Sequence, residues 1–586
     1  MTARRIGQLG RTVSQLRPHQ VAARVRLRGQ RALLRQMPGT ARVLLRPPGA
    51  STACGWPAGY LPLDSRAVAS WPRLAELAAG RIRLLGVERE LGQPVYWLRP
   101  GDPQLWRYHV HYWDWAWGLA MEPDRRAARQ LFADLWKSWH RAVPIGRSDA
   151  WHPYPASLRA WSWCGQFADV VRGSDIEEDF VADLARHAGF VRRFLELDVG
   201  GNHLLKNLKA AIGLALFFGD ERQLGRSLRK LIDQVSVQVL PDGGHFERAP
   251  AYHCQVLADL SDVAELLRAA GRTPPPELDL AISRMHSWLD VVVLPGGALP
   301  LLNDGFPVEP SLLAALRGGA LQGPRPAARL RVLAETGLIR ASAGDWELLA
   351  DVGLPCPPEL PAHAHADTLS CVVDVGGAPL LVDTGTSGYA AGSARDYERS
   401  TAAHNTVEID GANSTEVWGA FRAGRRARVY GMEANATPSE VVVTASHDGY
   451  RALPGSPRHH RRWTLSEAGL QVEDEVTGDG RHVVVVRWHL APGAGVRLTE
   501  SGADIRVAGG LVSVAIVSTA PVSVGSETSR VATGFGQTAP AQTLTCRIDA
   551  QLPVVIRTSW SSRALRTLAA PRAGTATELV FAEEAR

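Results

Sequence analysis

"PAHAHADTLSCVVDVGGAPLLVDTG", residues 361–385, begins with His363, His365 and Asp367 at alternate positions and runs into short β-rich segments broken by Gly and Asp. The same texture starts near 345 with "WELLADVG" and recurs in "NTVEIDG", "EVVVTASH", "HVVVVRWHL", "VSVAIVS" and "PVVIRTS". Runs of this length, rich in Val and Ile and bounded by turn residues, predict an antiparallel sheet. Upstream, from about 65 to 340, the pattern differs. "RAARQLFADLWKSWHRAV", "LLKNLKAAIGLALFFG" and "QVLADLSDVAELLRAAG" place apolar residues three and four apart, and Gly/Pro connections such as "LPDGG" and "GRTPPPE" separate them. That spacing predicts amphipathic helices joined as antiparallel pairs. The chain is therefore read as α+β and multidomain, with a basic lead-in over 1–63, a helical domain over 64–342 and a sheet domain over 343–586.

A length of 586 residues exceeds what one core usually supports, and 45% hydrophobic with 21% charged residues is ordinary globular composition. No apolar run approaches the roughly 20 residues of a membrane span. The six cysteines are scattered without a CxxC pair, which predicts isolated thiols. The net charge of +6 is concentrated at the front: Met1 to Leu63 holds no Asp or Glu, while arginines stand at 11, 17, 24, 26, 28, 31 and 35. Such an arm suits an anionic polymer or an acidic membrane surface, and no nucleic-acid partner is expected. It lacks the uninterrupted apolar stretch of a secretory signal, so cytoplasmic residence, or loose attachment to the inner membrane surface, is expected.

If extended conformation starts at 363, side chains two apart share a face, and His363, His365 and Asp367 point the same way. Asp383 follows His365 by eighteen residues and His404 follows Asp383 by twenty-one, each beside a strand. Two imidazoles and a carboxylate suit zinc, although each His equally fits as a satisfied polar residue under a loop. In the helical half, Asn202 follows two glycines at a helix start, with His203, Lys206 and Asn207 at helical spacing behind it. Asn202 suits an N-cap, and Asn202 with His203 suits an anion such as a carboxylate at the helix N-terminus. "PDGGHFERAPAYHCQV" then places His245, Glu247, Arg248, Tyr252 and His253 in one turn and the helix after it. Tyr154 and Arg159 follow the "HPYP" turn, where side chains can face a cleft. The many tryptophans are read chiefly as core filling.

The stretches "HPYPASLR", "GNHLLKN", "DGGHFERAPAYH", "HAHADTLS", "LLVDTGT" and "YERSTAAHNTVEIDG" resemble, in order, those of the heparinase II/III-like polysaccharide lyases, a group that includes related oligo-alginate lyases. The resemblance covers about residues 105–415. It implies an incomplete α/α toroid followed by an antiparallel β-sandwich, with a cleft between them. It also implies β-elimination on a uronic-acid polysaccharide, in which the C5 proton is removed, the bond to the C4 oxygen breaks and a 4,5-unsaturated sugar forms. By that likeness Asn202 and His203, helped by His363, grip the sugar carboxylate, and Tyr252 is the base, the acid or both. Tyr154, Arg159, Glu247, Arg248, Arg399 and Asn405 are candidate substrate-binding residues, and His365, Asp383 and His404 align with the family's zinc ligands, with the metal in a structural role.

Two features depart from the family. The arginine-rich arm replaces a signal peptide, which points to work on the cell's own exopolysaccharide, with the envelope or periplasm as the alternative location. Lys206 stands where many relatives carry an acidic residue, a change that would retune the carboxylate site. Competing readings are a zinc hydrolase and a non-catalytic carbohydrate-binding factor in polysaccharide synthesis or turnover.

Overall fold

The computed structural model describes residues 3–40, 45, 55–63, 65, 71–92, 94–318, 329–508 and 510–562. Most of 41–54, within the expected lead-in, and the last part of the expected sheet domain lie outside the described residues.

Two helices, α1 (Ala3–Val13) and α2 (Pro18–Gln36), form the arm. The helical half follows: α3 (Leu74–Ala78), α4 (Gln104–Val110), α5 (Trp117–Ala120), α6 (Arg125–Ala142), α7 (Pro153–Val170), α8 (Glu177–Arg193), α9 (Gly201–Phe217), α10 (Glu221–Gln238), α11 (Pro250–Ala269), α12 (Pro276–Val292) and α13 (Pro310–Leu316). Their starts follow local chemistry. Asp124 and Asp220 accept the backbone N–H three residues on, and α7, α11, α12 and α13 begin with Pro, whose missing N–H costs nothing in the first turn. One element was not expected here: a hairpin of β1 (Arg81–Leu84) and β2 (Val87–Glu90). α9 and α11 are buried on nearly all sides, so their apolar residues lack the single stripe of a surface helix. They pack on each other, and α10 returns the chain between them; both therefore begin at the same end of the bundle.

The strands are antiparallel throughout. A five-stranded sheet runs in sequence order through β3 (Leu330–Leu333), β4 (Leu338–Ala343), β5 (Trp346–Asp351), β6 (Cys371–Val375) and β7 (Ala378–Leu381). The expected division at 342/343 falls inside this sheet, because β3 and β4 already pair with β5. A short helix, α14 (Ser393–Glu398), precedes β8 (Val407–Ile409) and a small hairpin of β9 (Val417–Trp418) and β10 (Arg422–Ala423). The remaining strands are β11 (Val429–Ala436), β12 (Glu440–His447), β13 (Arg458–Ser466), β14 (Gly469–Thr477), β15 (Arg481–His489), β16 (Gly495–Thr499), β17 (Gly502–Val507), β18 (Gly510–Ser518), β19 (Val522–Gly534), β20 (Gln537–Gln551) and β21 (Val554–Ser562). They build a four-stranded sheet, β19-β20-β15-β8, and an eight-stranded sheet, β11-β12-β13-β14-β21-β18-β17-β16. Alternate residues of β12 and β13 point inward, as a half-solvated strand requires. Val373, Val486 and Val472, one from each large sheet, share a single apolar core.

The two halves are joined by polar contacts at their seam. Arg340 of β4 donates to the carbonyls of Val291 and Val293 at the end of α12, and Asp242 accepts from the N–H and hydroxyl of Thr336. Asn303 ties the two sides of the cleft together, donating to the Arg248 carbonyl at 3.1 Å and accepting the His365 N–H at 3.0 Å.

Candidate active site

The site begins at the paired N-termini of α9 and α11. Gly201 has φ +54°, and a Cβ there would come within 2.2 Å of Glu247 Oε1, so the chain can approach that carboxylate only as glycine. The close approach lets the Asn202 N–H donate to Glu247 Oε1 at 2.8 Å. His203 follows on the exposed side, its Nδ1 3.2 Å from Glu196 Oε1. Glu196 is buried, which alone would raise its pKa, but His203, His152 and Asn207 hold it down to about 2. An ionised carboxylate only accepts, so the proton of the His203–Glu196 bond sits on Nδ1 and the other ring nitrogen is left for the cleft. Tyr154 lies with its ring 4.4 Å from His203 and edge-on to Tyr112 at 6.0 Å, which places this aromatic wall on the helical side.

The sheet half supplies His363. Its Nε2 lies 3.0 Å from Glu247 Oε2 and its Nδ1 2.8 Å from Asp304 Oδ2. Burial would lower this imidazole, yet Glu247 and Asp304 together outweigh that and push it up to about 9, so it is an imidazolium at neutral pH. Glu247 is correspondingly held at about 2, against burial, by His363. Asp304 is a hub: besides His363 it accepts from His365 Nε2 at 2.8 Å, Thr386 Oγ1 at 3.2 Å and Arg395, whose Nη2 stands 2.8 Å away and whose Nη1 binds the other oxygen.

The Tyr252 ring lies tilted against His363 with centroids 4.0 Å apart, and its hydroxyl lies 2.7 Å from the hydroxyl of Tyr389. Burial, Tyr389 and the Asp304 charge hold the Tyr252 phenol well above its ordinary value, so it carries its proton. Phe306, Phe421 and Phe535 enclose the tyrosine pair. Asn202, Glu247, His363, Tyr252 and Tyr389 thus form one connected chain of contacts from the helical half to the sheet half.

Several expectations need correction. Residues 361–370 are turn and bend, and extended structure starts only at Cys371, so His363, His365 and Asp367 do not share a strand face. His363 turns to Tyr252 and His365 to Asp304. Asp367 is fully buried, and burial pushes its carboxyl up to about 6 while His404 opposes the rise. Among the described residues no group of three or more His, Cys, Asp or Glu side chains is placed to hold a metal ion. The three residues expected to hold zinc lie together: His404 Nδ1 stands 2.7 Å from Asp383 Oδ2, the His365 ring is 5.3 Å from that of His404, and while His365 Nε2 meets Asp304, His365 Nδ1 and His404 Nε2 are buried without a hydrogen-bond partner.

Arg159 does not face a cleft. It is fully buried, donates to the carbonyls of His111 and Ala150 and to His187 Nε2, and sits over the rings of Trp139 and Trp151. Arg399 holds the Ala364, Gly419 and Arg422 carbonyls, and Asn405 bridges Cys371 O, Val382 O and the His489 N–H. Arg248 binds the Thr336 carbonyl. These four position backbone rather than substrate, and Glu247 positions Asn202 and His363. Lys206 pairs with Asp259 at 2.7 Å inside the bundle and leaves the carboxylate site untouched. Replacing Arg159 with Met should leave two buried carbonyls dry, at about 1–3 kcal/mol each, and lower the melting temperature. KM of the folded enzyme should stay unchanged; a raised KM would restore the binding role.

Sequence reading missed Glu196, Asp304, Tyr389 and Arg395. Tyr389 and Arg395 lie in the "GTSGYAAGSARDYERS" stretch between two expected zinc ligands, where a Tyr in a Gly/Ser loop was the available signal. Asp304, in "LLNDGFP", carried none beyond a charge in an apolar turn.

Known proteins resemble this chain in sequence and in fold. The Heparinase II/III N-terminus model matches residues 102–322, and the Heparinase II/III-like, C-terminal model matches residues 325–566. FtsZ-localized protein C of Caulobacter vibrioides is 28% identical over 433 residues, 68% of this chain and 72% of that protein. Heparin-sulfate lyases of Bacteroides stercoris and Pedobacter heparinus are 22% and 23% identical over 68% and 55% of this chain, and the alignments span 66% and 55% of their own lengths. The crystal structure of heparinase III superposes with TM-score 0.70 at 16% identity, over 81% of this chain and 80% of that one, which shows a shared fold: helices first, then a sheet-rich part.

Proposed function

Because this chain belongs to the heparinase II/III-like family and is a polysaccharide lyase breaking carbon–oxygen bonds, we propose that it cleaves a uronic-acid polysaccharide by β-elimination. The helical half is read as an incomplete α/α toroid and the sheets as an antiparallel β-sandwich, with the sugar lying between them. The C5 proton of a uronate is acidic enough to remove only when the adjacent carboxylate is neutralised. The first turn of α9, with the Asn202 side-chain amide, and the nearby His363 imidazolium supply that neutralisation. His203, its Nδ1 proton given to Glu196, takes the C5 proton on its other nitrogen. The C4–C5 double bond forms, the electron pair of the C4–O bond leaves with the oxygen, and Tyr252 gives that oxygen its proton. Tyr389, hydrogen-bonded to Tyr252, orients the phenol and stabilises it as it loses the proton. Return of the proton from His203 to Tyr252 through solvent resets the site.

The observation that carries the reading is the contact of Tyr252 with His363 at 4.0 Å, which brings the two halves together around one proton donor. Its test is turnover of alginate, polyglucuronate, chondroitin and heparan sulfate, followed by the ultraviolet absorbance of the unsaturated uronate. A rise with one polymer is expected. New reducing ends without that absorbance would mean hydrolysis, and no product with any of them would favour a binding factor. The second reading, a non-catalytic carbohydrate-binding factor, is kept because one relative is known by its localization to FtsZ and not by a lyase activity.

A further inference from the structure

The arm is apolar on two faces, and docking uses only one. On α2, Ala23, Leu27 and Leu34 are buried, and Leu27 and Leu34 join the core of the helical half. Salt bridges from Arg17 to Glu359 and from Arg24 to Asp198 secure that face. α1 is fastened separately: Arg11 pairs with Glu416, and Thr12 bonds the Ala423 carbonyl and the Trp418 indole N–H. The arm is thereby fixed to both halves of the molecule, and β10, on which α1 rests, follows Phe421, a neighbour of Tyr389.

On the opposite side of α2, Val21 and Val25 are 44% and 69% exposed, and Leu33, on the flank beside Arg26, is 38% exposed. At 3.6 residues per turn, Val21, Val25 and Ala32 form a stripe roughly opposite Ala23, Leu27 and Leu34. Arg28 and Arg35 flank the stripe on one side and Arg26 on the other, and all three are exposed. On α1, Ile6, Leu9 and Val13, spaced three and four apart, are exposed as well, at 59%, 39% and 47%. Isolated exposed apolar residues are ordinary, but apolar residues that repeat at helical spacing on the exposed faces of two successive helices are not. Their setting is uniformly basic, with no Asp or Glu among the first 63 residues.

We propose that the arm is a peripheral membrane-binding element that seats this protein on a bilayer rich in anionic lipid. The apolar stripe enters the boundary between headgroups and acyl chains, and the flanking guanidinium groups pair with lipid phosphates. A soluble polyanion would explain the arginines but leaves the valine stripe without a partner, so the bilayer is favoured. Among the described residues no helix is long and apolar enough to cross a membrane, which agrees with a seat on the surface.

The test is flotation of the full chain with phosphatidylcholine vesicles, with and without phosphatidylglycerol. Binding is expected only to the mixed vesicles and should weaken as salt rises. The exposed changes Val21→Glu with Val25→Glu should reduce it by about tenfold or more, and Arg26→Glu with Arg28→Glu should weaken both the binding and its salt dependence. Should either pair fail to fold, Val25→Trp gives a second readout, with indole emission expected to shift to the blue on adding the mixed vesicles. Failure of the native chain to float, equal flotation of the Val21/Val25 variant, no shift for Val25→Trp, or capture by dextran sulfate in place of vesicles would each overturn the proposal.

Discussion

Tyr252→Phe is expected to retain its fold and lose roughly 10²- to 10⁴-fold in kcat, the range in which a positioned proton donor contributes to catalysis. The substitution deletes one oxygen and leaves intact the ring that packs against His363 at 4.0 Å. Binding of the sugar, which rests on Asn202, His203 and His363, should survive, so KM should change little while kcat falls; that pattern marks an interaction made mainly in the transition state. The high phenol pKa is the physical reason for an acid rather than a base. A group buried beside Asp304 resists ionisation until the leaving oxygen, itself gaining charge, draws the proton. Steady-state kinetics on the polymer identified by absorbance, with melting curves for both proteins, would check this. Unchanged kcat would remove Tyr252 from the chemistry, and the β-elimination mechanism proposed with it.

Asp304→Asn should have the largest effect on stability. The side chain is fully buried and accepts from His363, His365, Thr386 and Arg395, and its carboxyl is held well below the usual range because Arg395 and the two histidines outweigh burial. With the charge gone, Arg395 and the His363 imidazolium face each other without their shared anion. Removing one member of a buried ion cluster costs about 3–5 kcal/mol, against a few tenths for an exposed pair. The apparent melting temperature should therefore fall by several degrees. Activity should fall as well, because His363 loses the partner that fixes its ring against Tyr252. Calorimetry of the two proteins decides: a melting temperature within a degree of the native value would mean the cluster contributes little and that Glu247 alone suffices to orient His363.

Taken residue by residue, the legible part of the site was the part written in local sequence. Asn202 and His203 stand behind two glycines at a helix start, Tyr252 stands in the first turn after a proline, and His363 sits in the turn segment that leads to β6. Arg159 and Arg399 looked like ligands for the same local reasons, as charged residues near turns. Only the packed molecule shows Arg159 closed in by tryptophans and Arg399 bound to three carbonyls.

The sequence by itself determined the order of helices and strands, the helix starts that present Asn202, His203 and Tyr252, and the basic character of the arm, because periodicity, capping and charge act over a few residues. Tertiary structure alone decided what each ionisable group meets. Asp304 is 59 residues from His363 and 91 from Arg395, and Tyr389 is 137 from Tyr252. Charge state depends on burial and on neighbours within a few ångströms, and such proximity is created by packing between segments that carry no mark of one another. For the same reason only packing brings His365, Asp383 and His404 to one place, with His404 on Asp383 and the His365 ring beside that of His404.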